Sequence, residues 1–197
     1  MVELDRIIEK YINFEKNVRM MMDTLCARHC AHCDKVCCRQ DFCWETIESP
    51  FLTLLREKYP PPTTYSTEAG WLTETGCALC IGRAPVCYEY LCPTILASRE
   101  TKFDRYMIKV LAALTTHIGK NALGSQHLVE ILIREDLQRI KLSRFEKRLN
   151  EAQDAFIAVA AYLKKKSFEH TFIPVLAKII PNDRNGFSQR TQTLRTL

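Results

Sequence analysis

The feature that most constrains this chain is the confinement of all ten cysteines to two short stretches. The first, Cys26 to Cys43, reads CARHCAHCDKVCCRQDFC and holds six of them together with His29 and His32. The second, Cys77 to Cys92, reads CALCIGRAPVCYEYLC and holds the other four. Thiolates gathered this densely are soft ligands, suited to zinc, an iron–sulfur cluster or copper(I). An even number of cysteines would also suit a disulfide framework. Against that reading, the stretch MVELDRIIEKYINFEK interleaves charged and apolar residues and lacks an apolar signal core. The expected setting is the cytoplasm, where thiols stay reduced and disulfides are rare. Cys37 and Cys38, adjacent in the chain, are also easier to use as metal ligands than as a bridge to each other.

A chain of 197 residues, 47% apolar and 26% charged, can bury a core without covalent staples. It has no apolar run of the ~18 residues that a membrane-spanning helix needs, so no span is expected. The net charge of +5 permits contact with nucleic acid or an acidic partner and requires neither.

The expected fold is mainly α, with a cysteine-rich metal-binding module packed against an N-terminal helix and a C-terminal helical bundle. The expected divisions are an N-terminal amphipathic helix (residues 1–25), the cysteine-rich module (26–97), a helical region (98–181) and a disordered tail (182–197). Leu4, Ile7, Tyr11, Phe14, Val18, Met21 and Leu25 alternate in steps of three and four, one stripe on a helix over 3–25. That stripe is expected to pack on the protein's own core; a homodimer seam is the alternative. Ser49-Pro50 reads as a helix start, and Pro60-Pro61-Pro62 as its end. Gly76, Gly82 and Pro85 are expected to set the second cysteine stretch on turns, and Trp44 is expected in the core. Beyond Ser98, Phe103, Met107, Val110, Leu111, Leu114 and Ile118 predict a helix stopping near Gly119. A second helix is expected near Ser125, carrying Leu128, Ile131, Leu132 and Ile133. A third should open on the capping-box pattern Ser143-Arg144-Phe145-Glu146, and a short last one should begin at Pro174.

Three patterns overlap in the first cysteine stretch. Cys26-x3-Cys30-x2-Cys33 has the spacing of a radical-SAM loop, but the remainder lacks the strand-like alternation that the barrel of such enzymes needs. Cys30-x2-Cys33 is a pair that zinc sites commonly use. The most distinctive is Cys30-x2-Cys33-x3-Cys37-Cys38, a doublet following a paired motif. With cysteines in surplus, His29 and His32 are expected to stand behind the ligands or in solvent rather than to ligate. Arg83 is either a counter-charge to a thiolate cluster or a solvated surface arginine.

These residues resemble the YkgJ-type cysteine-rich family, described as zinc- or iron-chelating, whose pattern opens with CxxCxxCC. The likeness lies in Cys30, Cys33, Cys37 and Cys38, then Trp71-Leu72, Gly76-Cys77, Arg83-Ala84-Pro85, Cys87 and Tyr90-Leu91-Cys92. It covers residues 30–92. The gap before the doublet is one residue longer than in the family, Ala69 stands where the family has a cysteine, and Ala84 separates the arginine from the proline. Flagellin lysine methylases have a similar cysteine arrangement. The resemblance implies a ligand set of Cys30, Cys33, Cys37, Cys38, Cys77, Cys87 and Cys92, ahead of Cys26, Cys43 and Cys80. The implied cofactor is zinc or an iron–sulfur cluster, in a structural or redox role.

Two other functions stay open. One is a protein-modifying enzyme component related to the flagellin methylases; the chain has no glycine-rich nucleotide or S-adenosylmethionine loop, so it would need a partner subunit. The other is a nucleic-acid-binding helix-turn-helix with a structural metal, built on the helices near Ser125 and Ser143 and on Arg139, Lys141, Arg144, Lys147 and Arg148. Glu135, Asp136 and Glu146 are mixed into that surface, which disfavours nucleic acid as the partner. No catalytic residue is assigned.

Overall fold

The computed structural model describes residues 2–30, 40–74, 76–165 and 170–180. The doublet Cys37–Cys38, Cys33, His32 and the expected tail therefore lie outside the described residues, and so does the side chain of Cys30.

The described chain is mainly helical. Helix α1 (Val2–Cys30) is 29 residues long, about 43 Å at the α-helical rise. Leu4, Ile7, Tyr11, Phe14 and Val18 of its stripe are buried as the periodicity requires, Met21 and Leu25 are only partly buried, and Ile8, Ile12 and Met22 widen the buried face. The stripe faces the protein's own core, packing on α3 (Pro50–Lys58), α6 (Lys102–Ala112), α7 (Leu114–Gly119) and α8 (Leu142–Lys165). α1 continues past residue 25, so the first cysteine stretch begins on a helix with Cys26. Chain then enters α2 (Gln40–Glu48), which carries Cys43 and which no apolar period had announced. Trp44 on α2 is 52% exposed and not a core residue.

Helix α3 starts as expected. Ser49 accepts a hydrogen bond from the Leu52 amide at 3.4 Å, and Pro50 occupies the first turn, where its missing N–H costs nothing. The second cysteine stretch mixes a small hairpin, β1 (Leu72–Thr73) with β2 (Gly76–Cys77), and two short helices, α4 (Pro85–Glu89) and α5 (Pro93–Ala97). Cys77 lies on β2 and Cys80 in a bend, while Cys87 is helical and Cys92 caps α5. The turn reading thus holds only in part.

The helix expected near residues 103–118 is two, α6 and α7, jointed at Ala113. Thr101 and Asp104 form a reciprocal capping box at the start of α6, and Asp104 also accepts from Tyr162 of α8 at 2.9 Å. The helix expected near Ser125 does not form. Only two 3-10 turns occur there, Leu128–Glu130 and Arg134–Arg139, and Leu132 and Ile133 are 66% and 59% exposed. α8 begins slightly before the expected box, so Ser143 lies inside its first turn. α9 (Ile173–Ile179) has Pro174 in its first turn, as expected. One apolar core runs from Leu4 through Phe51, Leu55, Ile81 and Tyr88 to Leu149 and Ile179. No helix among the described residues is long and apolar enough to cross a membrane.

Candidate metal centre

Four cysteines line one cavity of about 210 Å³: Cys26 from α1, Cys77 from β2, Cys87 from α4 and Cys92 at the start of α5. Met22, Tyr88 and Ile95 supply apolar wall, and Phe42 and Tyr90 form a lip with ring centroids 5.5 Å apart. Tyr90 is 45% exposed, so the cavity meets solvent there. No disulfide joins two of these cysteines among the described residues.

Glu15 builds the wall behind them. It sits on α1 one turn beyond Tyr11, within the apolar stripe, and is 0% exposed. Its Oε2 accepts from the Gly82 amide at 3.0 Å; its Oε1 accepts from the Arg83 amide at 3.1 Å and the Tyr88 hydroxyl at 2.9 Å. Burial raises the Glu15 pKa, and these three donors act against that rise. The clasp fixes residues 82–88 to α1. The far ends of the site are tied as well, since Arg99 donates to the Leu25 carbonyl at 3.0 Å and Ser98 bonds His29 at 3.1 Å.

Arg83 is the cavity's cation. Its Nε donates to the Leu79 carbonyl at 2.9 Å and a terminal nitrogen to the Cys77 carbonyl at 3.3 Å, with Asp23 at 4.0 Å on the rim. Burial works against its charge, but Tyr88, Cys77, Asp23 and Cys87 outweigh burial and raise its pKa. Of the two readings of Arg83, the solvated surface arginine does not apply: its side chain is 15% exposed and lines the cavity with the four cysteines.

Cys43 and Cys80 lie elsewhere. Cys43 is buried with Trp71 and Leu79 in a small separate cluster, and burial raises its pKa, so it stays a thiol. Cys80 is exposed, and its carbonyl accepts from Arg19 at 3.1 Å. Cys26, placed behind the family-like cysteines by sequence, lines the cavity with three of them. Among the described residues, no three His, Cys, Asp or Glu side chains converge closely enough to hold a metal ion. The donor chemistry nevertheless suits a soft metal, and both described flanks of the segment carrying Cys33, Cys37 and Cys38 reach the cavity, through Cys26 and Phe42.

Sequence reasoning did not find Glu15, Asp23 or the Phe42–Tyr90 lip. Glu15 had a usable signal: an acid placed on an otherwise apolar helical stripe needs buried donors. Compared with family models, curated proteins and solved structures, the chain matches none.

Proposed function

We propose that this protein is a thiolate metal-binding protein of the YkgJ-like kind, holding zinc or an iron–sulfur cluster at the Arg83 cavity. The observation that carries the reading is that Cys26, Cys77, Cys87 and Cys92, from four separate elements, line one cavity together with the partly buried Arg83. Cysteines so far apart in sequence need not share a cavity merely to fill a core. A buried cation beside them offsets the charge that several thiolates accumulate. Cys30, Cys33, Cys37 and Cys38 complete the ligand set in this proposal, from the segment whose flanks border the cavity. The proposed setting is a reducing, cytoplasmic one, which keeps the thiols available.

An absorption spectrum and elemental analysis of protein purified without oxygen distinguish the two metals. Zinc in a colourless protein selects the zinc centre; iron and sulfide in a brown one select the cluster. Single Cys→Ser variants then locate it. Metal content should fall in the variants of Cys26, Cys77, Cys87 and Cys92 and hold in those of Cys43 and Cys80. Unchanged metal content in all four cavity variants would sink the proposal.

A further inference from the structure

We propose a second binding site, remote from the cysteines in sequence, for a small soluble anion carrying two or more phosphate groups. It is a basic cavity of about 830 Å³ at the start of α8, lined by Lys141, Arg144, Lys147 and Arg148 with Ser125 and Ser143. No carboxylate lines it among the described residues. Arg144, Lys147 and Arg148 recur at steps of three and four, so they share one helical face, and Lys141 directly precedes the helix. Like charges at this spacing repel, and a surface helix ordinarily relieves them with interspersed acids. Here the acids are turned elsewhere. Glu146 pairs with Lys10 at 3.3 Å and Arg6 at 3.9 Å on the α1 side. Asp136 pairs with Arg139 at 2.8 Å. Glu151 reaches Arg148 at 3.3 Å but is shared with His117 at 2.9 Å. Lys141, Arg144 and Lys147 have no carboxylate partner among the described residues.

The facing wall is a tight turn. Asn121 and Gly124 both take left-handed backbone angles, φ 53° and 62°, and the bridge Leu123–Gln126 closes the turn, which carries Ser125 on the wall facing Ser143. Arg144 donates to the Asn121 carbonyl at 3.2 Å, which holds turn and helix together and fixes the guanidinium at the cavity. Two hydroxyl donors, planar and ammonium cations, and a first helical turn without an acid form a donor set complementary to phosphate oxygens. Four cations exceed what one phosphate needs, which points to a diphosphate or triphosphate group. A long polyanion fits less well, because the turn Arg134–Arg139, just ahead of Lys141 in the chain, carries the exposed Glu135.

The test is calorimetric titration of the full-length protein with inorganic pyrophosphate and with ATP at physiological salt, and with a DNA duplex and anionic lipid vesicles as separate arms. Pyrophosphate or ATP should bind. Lys147→Gln and Arg144→Gln should each weaken binding about tenfold, the order expected for one charge-assisted hydrogen bond. The thermal midpoint of Lys147→Gln should stay near the parent's, because that side chain is exposed and bonds nothing among the described residues. Arg144→Gln also gives up the bond to the Asn121 carbonyl and serves as the second variant. Amide resonances of Ser125 and Ser143 should shift on addition of pyrophosphate. No binding of either probe at millimolar concentration overturns the proposal, as does binding that both variants leave unchanged. Binding confined to the duplex or to the vesicles overturns it too, by reassigning the surface to a macromolecular polyanion or a membrane headgroup.

Discussion

Glu15 has no exposed surface and is held by two amides and a phenol. Removing it leaves the Gly82 and Arg83 N–H groups and the Tyr88 hydroxyl buried without an acceptor, at roughly 1–3 kcal/mol each and not additively. Glu15→Ala should therefore destabilise the protein by about 3 kcal/mol or more in urea unfolding, and Glu15→Gln, which keeps one acceptor oxygen, by less. Metal content should fall in Glu15→Ala even though Glu15 is no ligand, because the clasp positions Arg83 and the segment leading to Cys87. His117 makes a second prediction at this scale. Burial lowers its pKa, and so does Arg148, although the hydrogen bond its ring makes to the accepting Glu151 carboxylate opposes them; burial likewise lowers that of His127. The unfolded chain takes up protons at these imidazoles near pH 6.5, where the folded protein still refuses them. Their contribution to stability is complete above about pH 6.5 and declines as pH falls from there toward the depressed folded values. Imidazole resonances followed by NMR should show both rings titrating below the ordinary histidine value, and titration of either ring at its ordinary value removes this linkage.

Among the elements, those with both a terminator and a stripe were legible in the sequence. α3 has Ser49, Pro50 and the buried Phe51 and Leu55, and α9 has Pro174 in its first turn; each leaves little choice of start and face. Residues 125–133 were misread because Leu128, Ile131 and Leu132 imitate a helical period. Their fate is set by a tertiary contact instead. The His127 ring packs so closely on Gly119 that a Cβ there would lie 2.3 Å from it, while His127 and Glu130 cap a single 3-10 turn. Nothing local in the sequence encodes that approach. Gly119→Ala should accordingly cost about 1–3 kcal/mol by overpacking, although alanine is the better helix former. A thermal midpoint equal to or above the parent's would show that the ring can move away. The cysteine site divides in the same way. Spacing singled out the thiols, whereas the union of Cys26 with Cys77, Cys87 and Cys92, and the exclusion of Cys43, follow from how α1, α2 and the hairpin pack.

For the molecule as a whole, the question is what the proposed metal holds in place. Thiolate sites seldom exist before folding, so the free energy of metal binding becomes folding free energy for the segments that supply ligands. Read from sequence alone, the stretch from Cys26 to Cys92 has one amphipathic helix and a proline-rich loop, too little apolar surface to order itself without metal. The core is less divided than that. Phe51, Leu52 and Leu55 of α3, with Ile81, Ala84 and Tyr88, belong to the same apolar cluster as Met107, Leu111, Leu149 and Val159. These groups are held by burial, and Glu15 adds a clasp that needs no metal. By contrast, the hairpin around Cys77 packs on the small Cys43–Trp71–Leu79 cluster and is tied to Arg83 by one bond to the Cys77 carbonyl, and Tyr90 and Cys92 line the cavity. Stripping the metal should therefore abolish hydrogen-exchange protection in residues 72–80 and 90–97 and in the last turns of α1. Protection of α3, α6 and α8 should persist, since local openings follow the density of buried contacts. Equal protection of residues 72–80 with and without metal would mean that the centre is incidental to the fold. Loss of α3 together with the hairpin would mean that the cysteine-rich stretch unfolds as one cooperative unit, and that the shared core is too weak to retain it.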